Sequence, residues 1–441
     1  MFDTSTYKNR RKKLADLIPN CAMLISSYPV AMRNPDVGHK FRQESSIVYF
    51  TGFEEEETVF LYRPGRTPET VLFVRPKDPL HELWEGVRFG VEGAKNHFGM
   101  DACFSIHDLD KHLSELLSPV EKLYYKFDTN PKTDTSVLNA VESARRARGR
   151  TGLGVVPIFD PTEVIGELRL FKDREEIAAL QRACDISAEA HVEAMKFAKP
   201  GVSEKQVEAV MQYIFKARGS DRVGYDPIVG SGKNATTLHY NENKDTCKDF
   251  DLLLIDAGTE CKYYTADITR TFPVAGVFTS AQKDFYNAVL TAQMDVLDMC
   301  KPGVKFIDLQ EKARKSLSEQ ISKLGLIKER PEKIYEDKLY QKYYPHNIGH
   351  WLGLDVHDVG AYFLGGDSRE LEPGMVFTVE PGLYVPIDDQ DAPEEFRGMG
   401  VRIEDNVLIT ATGNKILSSG VPKTVDEIEE VMKLPSKFAD L

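Results

Sequence analysis

Hydrophobic and polar positions change period several times along this chain. In the first part, Ser46-Ile47-Val48-Tyr49-Phe50 and Val71-Leu72-Phe73-Val74 are short, continuous apolar runs that predict buried strands. Gly52 and Pro64-Gly65 punctuate them as turns. Between Glu92 and Glu121 the spacing lengthens. There Leu109, Leu113, Leu116 and Leu117 fall on one face of a helix. Residues 139–154 turn basic and glycine-rich, which predicts a surface connection. The clearest helical pattern covers residues 168–199. Phe171-Lys172-Asp173 marks its start, Glu175 and Glu176 sit in its first turn, and Ile177, Leu180 and Ala183-Cys184 follow at helical spacing. Pro200-Gly201 is its stop signal. A domain boundary is placed just before it, giving domains 1–170 and 171–441.

Beyond that helix the pattern predicts a helix over 202–216, an irregular stretch and then a strand over 225–239, and a hairpin over 251–272. Helices over 280–299 and 304–324 follow, and short strands dominate from 343 onward. Long helices alternating with antiparallel hairpins indicate an α+β fold and not a parallel βαβ sheet. The first domain reads as a mixture of strands and short helices. No internal repeat or low-complexity tract interrupts either half.

Composition narrows the function classes. The chain has 441 residues, 41% hydrophobic and 28% charged, an ordinary globular balance. No stretch approaches the ~20 apolar residues of a membrane helix. The basic N-terminal segment has no apolar run behind it, so a cytoplasmic location is expected, with no membrane partner. Six scattered cysteines form no CxxC pair and are expected to be reduced and buried. A formal net charge of −13 disfavours nucleic acid as a partner.

Candidate chemistry gathers in the second half. The apolar run Leu252-Leu253-Leu254-Ile255 ends in Asp256, and Asp267 follows in Thr265-Ala266-Asp267-Ile268-Thr269-Arg270. A hairpin turning between Cys261 and Lys262 would set these aspartates directly opposite each other, with Cβ atoms about 5 Å apart. Two carboxylates that close need a cation to ionise together. Next comes a glycine-rich segment holding His346, His350 and His357; neutral imidazole is a common metal ligand and proton shuttle. Glu380 closes the apolar run Met375-Val376-Phe377-Thr378-Val379, and Pro381 biases it towards an extended conformation. In Gly400-Val401-Arg402-Ile403-Glu404, Arg402 and Glu404 alternate with apolar neighbours. Four carboxylates and a histidine suit two divalent cations of oxygen-preferring type, such as manganese or cobalt. Absence of paired thiolates argues against a structural zinc site.

The ordered set Asp256, Asp267, His350, Glu380 and Glu404 resembles the ligand set of the pita-bread metallopeptidases. His350-Trp351-Leu352-Gly353-Leu354-Asp355-Val356-His357, Thr378-Val379-Glu380-Pro381-Gly382 and Arg402-Ile403-Glu404-Asp405-Asn406 look closest to aminopeptidase P and prolidase. Residues 41–53 are similar to the N-terminal domain of those proline-directed members. The resemblance implies a pita-bread catalytic domain and hydrolysis of the bond between an N-terminal residue and a following proline. It implies two divalent ions, manganese first and cobalt or zinc as alternatives. Asp256 would bind one ion, Asp267 and Glu404 would bridge both, and His350 and Glu380 would complete the second site. Glu380 would also handle the proton of the attacking water. His239, His346 and His357 would line the substrate pocket and pass protons, and Arg402 would orient Glu404 or bind a substrate carbonyl. Asn347-Ile348-Gly349 before the ligand histidine fits prolidase as well. Trp84 resembles a tryptophan that aminopeptidase P lends to a neighbouring subunit, which implies a homo-oligomer, a dimer or a tetramer. Prolidase is the alternative, with Arg369 as the position to test for carboxylate recognition. A non-catalytic pita-bread binding module is the remote one.

Overall fold

In the computed structural model, which describes residues 2–117, 119–152 and 157–439, the chain falls into two units, Met1–Leu168 and Arg169–Leu441. The first unit is built on a six-stranded sheet in the order Ala102–Ser105, Thr70–Val74, Val59–Tyr62, Ala22–Ser26, Leu123–Tyr124, Ile158–Phe159. Val59–Tyr62 runs antiparallel to both neighbours, whereas the outer pairs are parallel. Leu109, Leu113, Leu116 and Leu117 pack as one face against Leu24, Leu61 and Phe73 of the sheet, as their spacing requires.

Two expectations for this unit fail, each for a physical reason. Ser46 to Phe50 lie in a helix, Ser45–Thr51, and not in a strand. The Glu44 side chain accepts from the Ile47 amide at its N-terminus, and Gly52, at φ 74°, closes its C-terminus. All seven helical residues are buried. A run buried on every side carries no period, so its pattern cannot separate helix from strand. Residues 139–151 belong to the long helix Pro131–Thr151 and form no loop. Val137, Ala140 and Ala144 recur on its buried face, while Arg145 and Arg146 pair with Glu142 one turn back. Gly154, the end of that predicted connection, lies outside the described residues.

The second unit opens with the helix Arg174–Phe197, started by a capping box in which Asp173 and Glu176 satisfy each other's backbone amides. Helices Glu204–Ala217, Ser280–Leu297 and Phe306–Lys323 follow. Among the described residues the strands of this unit pair antiparallel: Leu252–Asp256 between Ile228–Ser231 and Thr269–Pro273, Val376–Val379 and Asn414–Ile416 flanking Asp405–Ile409, and Gly382–Tyr384 with Gly400–Arg402. The α+β expectation therefore holds. Residues 225–239 reverse the expected order. The strand Ile228–Ser231 comes first, and Gly232, at φ 54°, turns it into the short 3-10 helix Gly232–Thr236. Trp351, Phe377, Val379, Leu309 and Val296 share one core behind the strands. All six cysteines are buried and free. Among the described residues no helix is long and apolar enough to cross a membrane.

A buried ionic joint fastens the hairpin to the strand Asp405–Ile409. The Arg270 guanidinium, fully buried, donates to the carbonyls of Thr269, Glu404, Val421 and Pro422 and to the Asp405 carboxylate at 2.8 Å. Asp405 also accepts from Lys423 at 2.7 Å and Ser418 at 2.7 Å. Burial pushes the Asp405 carboxyl up, but Arg270 and Lys423 outweigh it and hold it down at about 2. A depressed carboxyl stabilises the fold fully above its unfolded pKa, ~3.9, and loses that contribution as pH falls towards its folded pKa. Asp405→Asn should cost about 3–5 kcal/mol at pH 7, because it leaves Arg270 buried without its partner. Urea unfolding at pH 7, 4 and 2.5 checks both points: the gap between parent and variant should shrink only below about pH 4.

Candidate metal centre

The hairpin sets the first two carboxylates. Its central turn residues are Lys262 and Tyr263, both at positive φ (51° and 71°), as a two-residue type I′ turn requires. The predicted turn lay one residue earlier. The real turn pairs Cys261 with Tyr264 and Asp256 with Thr269, so Asp267 is not directly opposite Asp256. One turn position moves each partner by two residues, which preserves the face on which a side chain points. Asp267 therefore remains on the face of Asp256 as its diagonal neighbour. The Tyr225 hydroxyl closes the remaining gap, 2.6 Å from Asp256 Oδ1 and 2.6 Å from Asp267 Oδ1. Gly258 lets the two arms lie this close, since a Cβ there would meet the Ala266 carbonyl oxygen at 1.8 Å.

The histidine segment is laid along Val376–Val379 as an extra strand. Leu352 N donates to Val376 O, Thr378 N to His350 O and Glu380 N to Ile348 O, at 2.8–3.0 Å. Gly349 is needed there, because a Cβ would come within 1.9 Å of the Thr378 carbonyl oxygen. This brings His350 Nε2 to 3.3 Å from Asp267 Oδ2 and 3.5 Å from Glu380 Oε1. His350 Nδ1 lies 3.1 Å from the Trp351 carbonyl, so its proton is fixed there and Nε2 is aimed at the carboxylates. Thr378 Oγ1 takes the His350 amide proton at 3.0 Å and contacts Glu380 Oε1 at 3.2 Å. Glu404 enters from the third side, with its Oε2 accepting from Thr269 Oγ1 at 2.7 Å. Asp267, His350 and Glu404 offer ligand atoms within 4.8 Å of one another. Glu380 borders that group through His350, and Asp256 joins it through Tyr225.

Arg402 meets Asp256 directly and Glu404 by way of Thr269. Its guanidinium donates to Asp256 Oδ2 at 2.6 Å, to Thr269 Oγ1 at 3.1 Å and to the Tyr384 hydroxyl at 3.1 Å. It reaches Glu404 through the Thr269 hydroxyl, which accepts from Arg402 Nε and donates to Glu404 Oε2. His346 is likewise engaged on both ring nitrogens, with the Asn347 carbonyl at 2.8 Å and the Tyr384 hydroxyl at 2.9 Å. His357 stacks edge-on at 4.3 Å from His350. His239 and His357 are exposed; burial is the main cause that lowers His346 and His357, and His239 adds to it in both. A cavity of about 510 Å³ borders His350 and is walled by Gln310, Phe306, Tyr362 and Phe363. Arg369 is buried, with its guanidinium 5.6 Å from the Phe171 ring centroid.

Electrostatics tests whether these residues fit a metal. Burial raises Asp256, with Arg402 opposing and Asp267 adding to the rise. Burial and then the charges of Asp267 and Glu380 hold Glu404 well above the usual carboxylate range. Burial pushes Glu380 up to about 7. His350 goes the other way: burial disfavours its charge, but Asp267 and Glu380 outweigh it and raise it to about 9. Arg402 and a protonated His350 are thus too little positive charge for four carboxylates, and protons make up the difference. Oxygen donors with one imidazole, short of cationic charge, match divalent metal.

Sequence reasoning missed Tyr225, Thr269, Thr378, Tyr384 and Asn406, whose side chain holds the Asp267 backbone on both sides. Thr378 was within reach, two residues before Glu380 and so on the same strand face. Tyr225 carried no local signal. It is seated because Gly224 lets the chain press on Thr265, whose Oγ1 would lie 2.0 Å from a Cβ.

Comparison with known proteins decides the family. The model of metallopeptidase family M24 matches residues 178–411, more than half of the chain. This chain belongs to metallopeptidase family M24. The aminopeptidase P N-terminal domain matches residues 7–124. The Xaa-Pro aminopeptidase of Escherichia coli strain K12 is 39% identical over 430 residues, 97% of each chain. Aminopeptidase PepP of Pseudomonas aeruginosa has a similar structure, with a TM-score of 0.94 and 40% identity over 98% of each chain. Zinc-substituted E. coli aminopeptidase P in complex with product gives a TM-score of 0.93 and 38% identity, again over 98% of each chain. The M24 chain therefore has the two-domain architecture of aminopeptidase P, with a pita-bread second domain, and the family together with the Asp267, His350 and Glu404 cluster supports use of divalent metal.

Metal uptake should release protons. At pH 7 His350 and much of Glu380 are protonated, and both must lose protons to act as ligands. Affinity should rise with pH between about 6 and 9. Isothermal titration of chelator-stripped protein in two buffers of different ionisation enthalpy should show heats that differ with the buffer; identical heats would contradict these protonation states.

Proposed function

We propose that this M24 member is an Xaa-Pro aminopeptidase that removes an N-terminal residue preceding proline, using two divalent ions, manganese in the first place. Asp256, Asp267, His350, Glu380 and Glu404 would hold them. The observation that carries this reading is the convergence of four carboxylates with His350 Nε2, its other nitrogen tied to the Trp351 carbonyl. Likeness to the Xaa-Pro aminopeptidase of E. coli over 97% of the chain supports the substrate class.

When bound, the ions supply Lewis acidity, which makes water a nucleophile at neutral pH and polarises the scissile carbonyl. The protein's own groups do the rest. Glu380 would take the proton of the attacking water and return it to the leaving nitrogen. Exposed His239 and His357 face substrate and donate to the developing oxyanion. Arg402 donates to Asp256 and opposes the rise that burial imposes on it, and His346 fixes the Tyr384 hydroxyl beside it. Proline offers no amide N–H, so recognition rests on ring shape.

The N-terminal unit exposes Leu80, Leu83, Trp84 and Val87 at 75, 80, 87 and 83%, along and just beyond the helix Pro79–Glu85. A contiguous apolar patch of this kind marks an interface. We read it as the surface through which copies of the chain associate as a dimer or tetramer. Leu83→Arg should then sediment as a smaller species with unchanged circular dichroism; an unchanged sedimentation coefficient refutes that reading.

The activity test sets Arg-Pro-Pro against Gly-Pro, with manganese returned to chelator-stripped protein. Arginine should be released from the tripeptide, and Asp267→Ala should lower kcat/KM by at least about 10³-fold, the loss of a ligand the reaction requires. Cleavage of the dipeptide alone would make the protein a prolidase. No cleavage with any divalent ion would return it to a binding module.

A further inference from the structure

Two threonines stand in the same relation to two of the site carboxylates. Thr269 Oγ1 lies 3.1 Å from Arg402 Nε and 2.7 Å from Glu404 Oε2. Thr378 Oγ1 lies 3.0 Å from the His350 amide and 3.2 Å from Glu380 Oε1. Both residues are fully buried. A hydroxyl has one proton and two lone pairs. In each case a donor-only N–H occupies a lone pair, and the hydroxyl's single proton is left for the carboxylate. The direction of both bonds is therefore fixed by groups the hydroxyl cannot turn around: a backbone amide at Thr378, a guanidinium at Thr269.

We propose that Thr269 and Thr378 are paired positioning residues that lock Glu404 and Glu380 in the orientation required for metal. Each makes one named oxygen, Oε2 of Glu404 and Oε1 of Glu380, an obligatory acceptor, so the carboxylate plane cannot rotate freely about its last bond. At Glu380 the anchored oxygen is the one facing His350 Nε2 at 3.5 Å, so the lock also sets the spacing between two ligands. The amide held by Thr378 is that of His350 itself, so this one hydroxyl fixes both ligands. Thr269, through Arg402, is tied in the same way to the guanidinium that holds Asp256. The two hydroxyls thus tie Glu404 to Asp256 by way of Arg402, and Glu380 to His350. The proposal rests on the assignment of these residues as ligands made above.

Valine is the near-isosteric replacement that deletes only the hydrogen bonds, and serine the one that keeps them while losing a methyl. The experiment measures manganese affinity of chelator-stripped protein by isothermal titration, and separately kcat and KM on Arg-Pro-Pro at saturating manganese, for Thr269→Val, Thr269→Ser, Thr378→Val and Thr378→Ser. Melting temperature is recorded for each. The valine variants should lose about 10–100-fold in metal affinity, and at saturating metal their kcat should fall while KM stays within about twofold, the signature of an interaction used in the transition state. Serine variants should stay within about threefold of the parent in both. Valine variants that bind manganese and turn over like the parent would overturn the proposal. So would serine variants as impaired as valine, because then packing, and not the hydroxyl, is what matters. The affinity arm separates this inference from the reading beneath it: a parent that binds manganese but cleaves no proline peptide sinks the proposed activity and leaves the threonine effect measurable. A parent that binds no metal sinks both.

Discussion

The structure around the site depends on one electrostatic constraint: four carboxylates share a buried space with too little positive charge. Arg402 balances Asp256 at 2.6 Å and His350 approaches Asp267 and Glu380, yet Glu404 and Glu380 still sit above the usual carboxylate range. Unpaired charge in such surroundings costs several kcal/mol per ion. A fold that only needed stability would do better with apolar residues at these positions. Retaining the carboxylates makes sense where a divalent cation completes them, and the chain's membership of a metallopeptidase family fits that reading.

The rest of the unit serves to keep those groups from drifting apart. The hairpin brings Asp256 and Asp267, the histidine segment brings His350, and the strands Val376–Val379 and Asp405–Ile409 place Glu380 and Glu404 at their ends. Arg270 and Asp405 then fasten hairpin to strand from behind. Hydroxyls do the finer work: Tyr225 spans Asp256 and Asp267, Thr269 reaches Glu404, and Thr378 reaches Glu380. Neutral donors are well suited to this task, since they orient a carboxylate without consuming the charge that attracts metal.

Sequence revealed those residues whose chemistry is written in type and local pattern. Asp256, His350, Glu380 and Glu404 end or interrupt apolar runs, and that incongruity is visible in one dimension. The hairpin was legible too, but its turn was displaced by one residue, because Lys262 and Tyr263 carry none of the glycine or asparagine signal that positive φ usually brings. Asp267 still reached the correct face, since the resulting shift in pairing was even. Tyr225 lay beyond reach: its role comes from contact between segments far apart in sequence. The same limit explains Arg402, whose direct partner proved to be Asp256, 146 residues away, with its near neighbour Glu404 reached by way of Thr269. In the first unit, the buried helix Ser45–Thr51 was misread because complete burial erases the period that distinguishes helix from strand.

The proposal that stands or falls with this site is that its carboxylates and His350 hold two ions. Its most direct test is a metal count: equilibrium dialysis of chelator-stripped protein against manganese, with bound metal measured by elemental mass spectrometry. Two ions per chain are predicted at saturation, and substantially fewer in Asp267→Ala, which removes a residue that would hold metal. Saturation at one ion or none in the parent chain, or an undiminished count in Asp267→Ala, would contradict the proposal.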